Sequence, residues 1–449
     1  MLFSLANLAE AFILSLNSTQ TPTPTTHVYA RYVETGKALL SDQVLSFQNG
    51  HITQLRPAHA CNDVISERFD YVLPGCVNAH SHAFQILLRP TTGQPAHFKD
   101  WVDRFLYPQV TQLDQQQLYT SARRVFKEML RAGITTVGEF HYVNNLPDGS
   151  SSEQHYAHTL IQAARDVGVR ITLIRTLYDQ CHKLGQKRFQ EPTAQAIDQT
   201  RALAQHYAEH PNVSVLPAPH SLHGASQELV MAGAELAREL NTPWHMHLSE
   251  QPGDAEFALQ KYGHRPLACL EHWGILDQNT CIVHGIWFDD EDLERMQQRR
   301  CRQVYNPLTN MALGDGMARL PELLNHGVPV ALGTDANTDS SLFLEARMAE
   351  YLQRSQKLSM GHVTARQLFA MLNQHGAHAL GLQTGLLEVG YAADFLALDL
   401  QSPSLWPVTA EAEDLEAFGE AMLNQMIFSM VPQEAIQQVY VAGQAQVLH

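Results

Sequence analysis

Short runs of apolar residues alternate with longer amphipathic stretches through most of the chain. After a TPTPTT linker, HVYARYV, DQVLSFQNGHITQLRP and FDYVLPG have the alternation and β-branched content of strands, and the Asn49-Gly50 pair predicts a hairpin turn. GLLEVGYAADFLALDL and IQQVYVAGQAQVL repeat that character near the other end. Between them lie eight β-like runs: YVLPGCVNAHSH, ITTVGEF, VRITLIRTLY, VSVLPAPHS, PWHMHLSE, NTCIVHG, CRQVYNP and PVALGTDA. Patterns with helical spacing separate them, among them LYTSARRVFKEMLRAG, AHTLIQAARDVG, SQELVMAGAELARELN and DLERMQQR.

Repeated strand-then-helix units predict an α/β fold, a (β/α)8 TIM-like barrel over 74–383. A small β-sandwich domain assembled from 27–73 and 384–449 is expected beside it. Residues 1–26 read as an N-terminal extension. This segment is apolar but holds Glu10 and has no Lys or Arg before Arg31, so an amphipathic helix or loose extension fits better than a secretory signal. No run reaches the ~20 apolar residues of a membrane span.

Composition narrows the function classes. The 449 residues carry a net charge of −16, which opposes nucleic acid and anionic membranes. The six cysteines are scattered and none form a C-x-x-C pair, so a disulfide framework is not expected and a reducing cytoplasm fits. A homodimer is the expected assembly, since closed two-fold pairs are the commonest.

Barrel strands carry their chemistry at their C-terminal ends. The polar residues at those ends are His80, His82, Glu139, His220, His247, Glu250, His284, Asn306 and Asp335. His80 and His82 are two apart on one strand, so both imidazoles face the same side. Taken singly, each of these residues is equally a core histidine or a helix cap. Together, His80, His82, His247 and Asp335 make an N/O ligand set suited to one zinc, with iron(II) the alternative, and leave a position for water. Glu250 and His284 then stand ready as proton donor and oxygen-holding group, with Asp335 as base.

PGCVNAHSH, HMHLSE, IVHG and GTDA, in this order, resemble the amidohydrolase superfamily. The fourth strand ends in APHSLH and lacks the lysine that bridges two metals in binuclear members, so the chain is similar to the mononuclear deaminase branch. Within it, HSHAFQ (80–85), TTVGEFHY (135–142) followed by PDG (147–149), APHSL (218–222), HLSEQ (247–251), LGDG (313–316) and the pair Glu345/Arg347 most resemble formiminoglutamate deiminase. That resemblance implies N-formimino-L-glutamate as substrate, ammonia as product, and Gln85, Tyr142 and His220 in the substrate pocket.

Two positions depart from it. His223 stands where that family has an arginine for a substrate carboxylate, and Asn310 where it tends to have Glu. N-P-x-x-N-M is more typical of triazine hydrolases and of adenosine or S-adenosylhomocysteine deaminases. His223, Arg104 and Arg175 are the candidates to supply positive charge, with salt bridges as the other reading for the arginines. An aminohydrolase of a heteroaromatic ring (adenosine, S-adenosylhomocysteine, guanine, pterin or triazine type) is therefore the alternative activity. A catalytically silent structural barrel is the non-enzyme alternative.

Overall fold

The computed structural model describes residues 24–91, 93, 97–405, 414–429 and 432–448. Residues 1–23 of the expected N-terminal extension lie outside the described residues. The chain opens with β1 (Thr26–Glu34), β2 (Leu39–Gln48), β3 (His51–Pro57) and β4 (Glu67–Pro74). Eight short strands follow: β5 (Cys76–Ser81), β6 (Ile134–His141), β7 (Arg170–Leu177), β8 (Val213–Pro219), β9 (Trp244–Leu248), β10 (Thr280–His284), β11 (Arg302–Tyr305) and β12 (Val330–Leu332). The last strands are β13 (Phe395–Leu398), β14 (Ile436–Val441) and β15 (Gln444–Ala445).

Strands from both ends join one seven-stranded sheet, ordered β15-β14-β13-β4-β1-β2-β3. Asn49 and Gly50 both take positive φ, 52° and 80°, and close the β2–β3 hairpin as their sequence predicts. The sheet rolls on itself. β2 and β13 are three strand steps apart, about 14 Å in a flat sheet, yet the rings of Phe47 and Phe395 are 5.8 Å apart. Val28, Leu45, Ile52, Phe69, Val72 and Tyr440 fill the enclosed core with them.

The run YVLPGCVNAHSH, read as one strand, is two. Tyr71–Pro74 belongs to the rolled sheet and Cys76–Ser81 begins the next layer. The break falls at Gly75, whose N–H donates to the Asp394 carbonyl at 3.0 Å. A Cβ at this glycine would overlap Thr135, so the close approach of the two layers requires glycine there.

The middle strands form two four-stranded parallel sheets, β5-β6-β7-β8 and β9-β10-β11-β12. Every residue of β6 and β7 is buried, the mark of parallel strands covered on both faces. The covering helices follow their patterns. Gln115–Arg131 starts with a capping box between Asp114 and Gln117 and buries Leu118, Ala122, Val125, Phe126 and Met129 along one stripe.

The two sheets meet at both of their edges. At one seam, His247 N–H donates to the His220 carbonyl at 3.0 Å; at the other, Thr334 N–H donates to the His80 carbonyl at 3.0 Å. All six cysteines are free thiols. Among the described residues, no helix is long and apolar enough to cross a membrane.

Candidate active site

The second seam assembles the site. Asn78 Nδ2 donates to Thr334 Oγ1 at 2.8 Å, and Thr334 N–H donates back to Asn78 Oδ1 at 3.1 Å. Thr334 Oγ1 also donates to Asn337 Oδ1, and Asn337 Nδ2 reaches the His82 carbonyl. These amide and hydroxyl bonds lock the end of β5 to the loop after β12. They explain why Asn78 precedes the two histidines and Thr334 precedes Asp335: the polar neighbours pin the ligating residues together.

The result is a tight cluster. His80 Nε2 lies 3.2 Å from both His82 Nε2 and His247 Nε2. Asp335 Oδ1 is 3.4 Å from His82 Nε2 and 3.6 Å from His80 Nε2. His82 and His247 turn Nδ1 outward to the carbonyls of Phe140 (2.8 Å) and His220 (3.0 Å). A carbonyl only accepts, so each Nδ1 carries the proton and each Nε2 presents a lone pair inward. Burial, then neighbouring histidines, hold His80 and His247 well below the usual imidazole range and bring His82 down to about 3. The lone pairs of His82 and His247 converge on His80 Nε2 beside a carboxylate, an arrangement that a shared cation would satisfy. His80, His82 and His247 can hold a metal ion, and the chemistry of the donor set fits zinc.

His284 and Glu250 complete the inner wall. His284 Nε2 is 3.7 Å from Glu250 Oε1 and 3.8 Å from Asp335 Oδ2. Burial, then Asp315, Asp335 and Asp254, push the Glu250 carboxyl well above the usual carboxylate range, which favours its protonated form. Ser249, His284 and Asp335 take positive φ of 52°, 75° and 48°. Backbone strain of this kind gathers where side chains must be aimed at a site.

A cavity of about 870 Å³ opens over this cluster, lined by His82, His247, Glu250, His284 and Asp335 among others. Gln85, Tyr142, His220 and His223 also line it. Gln85 Nε2 donates to Tyr142 Oη at 2.9 Å. His220 packs between Tyr142 and Tyr178, with ring centroids 5.7 and 5.0 Å away.

The sequence-predicted cations do not converge here. Arg104 is exposed over Phe105 and absent from the cavity wall, because on its helical turn Asp103, Leu106 and Tyr107 face inward instead. Arg175 is buried in an ion pair with Glu191 at 2.6 Å, which answers its charge inside the protein. His223 is at the wall but bonds Asp254 at 3.0 Å and stacks on Phe257. Glu345 and Arg347 hold backbone: Glu345 Oε2 accepts from Leu308 N–H at 2.9 Å, and Arg347 Nε donates to the Ile427 carbonyl at 2.6 Å.

Sequence reasoning missed the cavity roof. Phe98, Trp101, Leu106 and Tyr107 come from the segment after β5, and Tyr178 and Phe189 from the loop after β7. Their clustered aromatics were the available signal. Asp315 enters the sequence reading only within LGDG and with no role, although the residue is fully buried and hydrogen-bonded to Asn310 and Gln251.

Known proteins share this architecture. The chain is 31% identical over 346 residues to a 5-methylthioadenosine/S-adenosylhomocysteine deaminase of Syntrophobacter fumaroxidans, covering 75% of this chain and 74% of the relative. The enzyme of that name from Desulfovibrio desulfuricans is 29% identical over 400 residues, 87% of each chain. An adenosine deaminase from Xanthomonas campestris, solved with bound zinc, superposes with a TM-score of 0.81 at 22% identity over 94% of this chain and 92% of that one. The amidohydrolase family model matches residues 71–445, and with the deaminase relatives it shows that the chain belongs to the amidohydrolase family.

Proposed function

We propose that the protein is a metal-dependent hydrolytic deaminase, in which water replaces a nitrogen on an unsaturated carbon and ammonia leaves. The observation that carries this reading is the meeting of three inward Nε2 atoms, the Asp335 carboxylate and the Glu250 carboxyl at the base of one cavity. His80, His82, His247 and Asp335 would hold a single zinc or iron(II) ion. When bound, such an ion acts as a Lewis acid and brings the pKa of water toward ~7.

The side chains supply the rest. Asp335 accepts the proton released as water attacks. His284 directs its Nε2–H at the oxygen that gains negative charge. Glu250 delivers its proton to the departing nitrogen, so the carbon gains an oxygen and loses ammonia. All of these groups are in place, and this completeness counts against the silent-barrel reading.

For the substrate we favour an amino-substituted heteroaromatic ring of the adenosine type. Aromatic side chains form much of the cavity wall, and no arginine is among the described residues lining it. A flat ring suits such a wall, while two substrate carboxylates would find His223, Lys99 and Lys183, of which His223 and Lys183 already pair with Asp254 and Asp103. The relatives' names point the same way. N-formimino-L-glutamate is the second reading, favoured by the Gln85–Tyr142 pair at the cavity wall. Ammonia release from adenosine, S-adenosylhomocysteine, guanine, a pterin and N-formimino-L-glutamate, with metal content measured on the same preparation, tests both. Turnover of the formimino compound alone would reverse the order, and no release from any substrate by the metal-loaded protein would refute the deaminase reading.

The two seams lead us to take β5–β12 as a closed (β/α)8 barrel over 74–383. The rolled sheet is then a sandwich-like domain of 27–73 and 384–449. A cytoplasmic homodimer remains part of the proposal.

A further inference from the structure

His284 has two ring nitrogens, and only Nε2 faces the site. Nδ1 looks into a buried chain of polar groups. Asn310 Nδ2 lies 3.0 Å from His284 Nδ1 and donates to Asp315 Oδ2 at 2.8 Å. Gln251 Nε2 donates to Asp315 Oδ1. Asn310 and Asp315 are both fully buried.

The local sequence builds this chain. The helix Pro307–Leu313 carries Asn310 and ends at Gly314, with φ of 73°. That turn folds the backbone back, so that Asp315 N–H donates to the Asn310 carbonyl at 2.9 Å. The Asp315 side chain is thereby laid against the Asn310 side chain. Glu345 holds the start of the same helix through Leu308 N–H.

The chemistry of the chain then fixes a proton. A carboxylate accepts hydrogen bonds and cannot donate. Burial raises the Asp315 carboxyl to about 7; in its ionised form the Asn310 atom facing it is nitrogen, whose second hydrogen points at His284 Nδ1, with Asn306 Nδ2 facing the same Nδ1 at 3.5 Å. Nδ1 is left as the acceptor, and the ring proton sits on Nε2. A flipped Asn310 would set its oxygen against a carboxylate oxygen and demand a proton on Nδ1. His284 would then present a lone pair toward Asp335 and Glu250, the wrong polarity for holding a developing oxyanion.

We propose that Asp315 is a positioning residue that sets the tautomer of His284 through the Asn310 side chain. The value of that tautomer rests on the deaminase reading; the tautomer itself does not. Asp315 also holds Gln251, the residue after Glu250, so one carboxylate orders the supports of both the proton donor and the oxygen-holding group.

The test uses the full-length zinc-loaded protein with ring-¹⁵N histidine. Long-range ¹H–¹⁵N correlation reports which nitrogen of each ring is protonated, and the His284 signals are identified by their loss in His284→Asn. Wild type should show Nε2–H and a bare Nδ1. Asn310→Asp replaces the donor by an acceptor and should move the proton to Nδ1. Asp315→Leu frees the Asn310 amide and should populate both tautomers. Each variant should lower kcat about 10- to 100-fold, the usual effect of removing a supporting partner, with KM changed less than about twofold. A His284 that keeps the Nε2–H form in both variants overturns the proposal, whatever the activity. Tautomer changes in both variants, with a wild type inactive on every substrate, would support the relay and count against the deaminase reading.

Discussion

His247 Nε2 lies 3.2 Å from His80 Nε2, although 167 residues separate them in the chain. Neither this distance nor the matching one to His82 suits neutral imidazoles with lone pairs facing each other, unless a cation shares them. We therefore expect one divalent ion per chain by elemental analysis. Removing it with a chelator should lower the melting temperature, and zinc should restore it. Binding to the native state alone stabilises by about 2.7 kcal/mol at a hundredfold excess over Kd. His247→Ala should abolish both the ion and the shift, and an equal melting temperature with and without chelator would refute the site.

Glu250 is placed to give a proton. Its carboxyl is 3.7 Å from His284 Nε2 and its pKa is pushed up, by burial first and then by the carboxylates of Asp315, Asp335 and Asp254. Glu250→Gln keeps the shape and removes the acid, and should lower kcat about 10²- to 10⁴-fold with metal content unchanged. Because the acid must be protonated to act, kcat/KM of the wild type should fall on the alkaline side as Glu250 ionises. That limb should disappear from the residual activity of the variant. A retained alkaline limb would assign the titration to another group.

Much of this is legible in the amino-acid sequence, for a physical reason. The strand runs ending in His80, His247, His284 and Asp335 combine a short apolar stretch with a polar terminus, and in a parallel strand bundle all such termini gather at one end. The Asn49-Gly50 turn is likewise a local signal. The substrate wall was not legible. Arg104 and Arg175 are placed by tertiary contacts, one turned outward on its helix and the other neutralised by Glu191. Asp315, seen only as part of LGDG, had no legible role because that role depends on the Gly314 turn, which returns it to Asn310.

A second buried acid makes stability depend on pH. Glu139 Oε1 accepts from Ala83 N–H at 2.7 Å, and burial pushes its carboxyl up to about 8. The unfolded chain releases this proton near pH 4.5, whereas the folded chain retains it to about 8. Its contribution is thus fully present below pH 4.5 and is lost as pH rises toward 8. In that window the unfolded state binds fewer protons, and stability should fall by as much as about 1.4 kcal/mol per pH unit from this group. Glu139→Gln should flatten that slope in denaturant unfolding of the metal-stripped protein. An unchanged slope would show that Glu139 is ionised in the native state.

Asp254 and His223 form a pair whose two halves should behave differently. Asp254 Oδ2 accepts from the backbone N–H groups of Glu250 and Gln251 at 2.9 and 3.1 Å, while Oδ1 bonds His223 Nε2 at 3.0 Å. Asp254→Ala releases the loop that aims the proton donor and should lower kcat by tenfold or more, on the scale of a lost buried charge-assisted bond, about 1.5–3 kcal/mol. His223→Ala removes a half-exposed partner worth about 0–1 kcal/mol. With an adenosine-type substrate it should leave kcat within about fivefold. A large KM increase confined to N-formimino-L-glutamate would instead show His223 holding a carboxylate.

Arg188 ties the cavity roof to the strands beneath it. It is buried, and its guanidinium donates to the carbonyls of Asn145 at 3.0 Å and Leu113 at 2.6 Å and also to Val110. Asn145 lies in the loop after β6; Val110 and Leu113 end the segment that supplies Trp101, Leu106 and Tyr107 to the cavity. One planar fork thus spans the two, a role a lysine cannot fill because its single nitrogen cannot meet three carbonyls so spread. Arg188→Met keeps the stem and removes this donor from the Asn145 and Leu113 carbonyls, at about 1–3 kcal/mol for each left unpaired, while Val110 keeps its bond from Leu113 N–H. We expect a lower melting temperature for Arg188→Met, a KM raised more than kcat is lowered, and earlier protease cleavage within 97–113 than in wild type. Arg188→Lys should recover only part of each effect. If both variants keep the wild-type KM and cleavage pattern, the roof is held by its aromatic packing alone and Arg188 is dispensable to it.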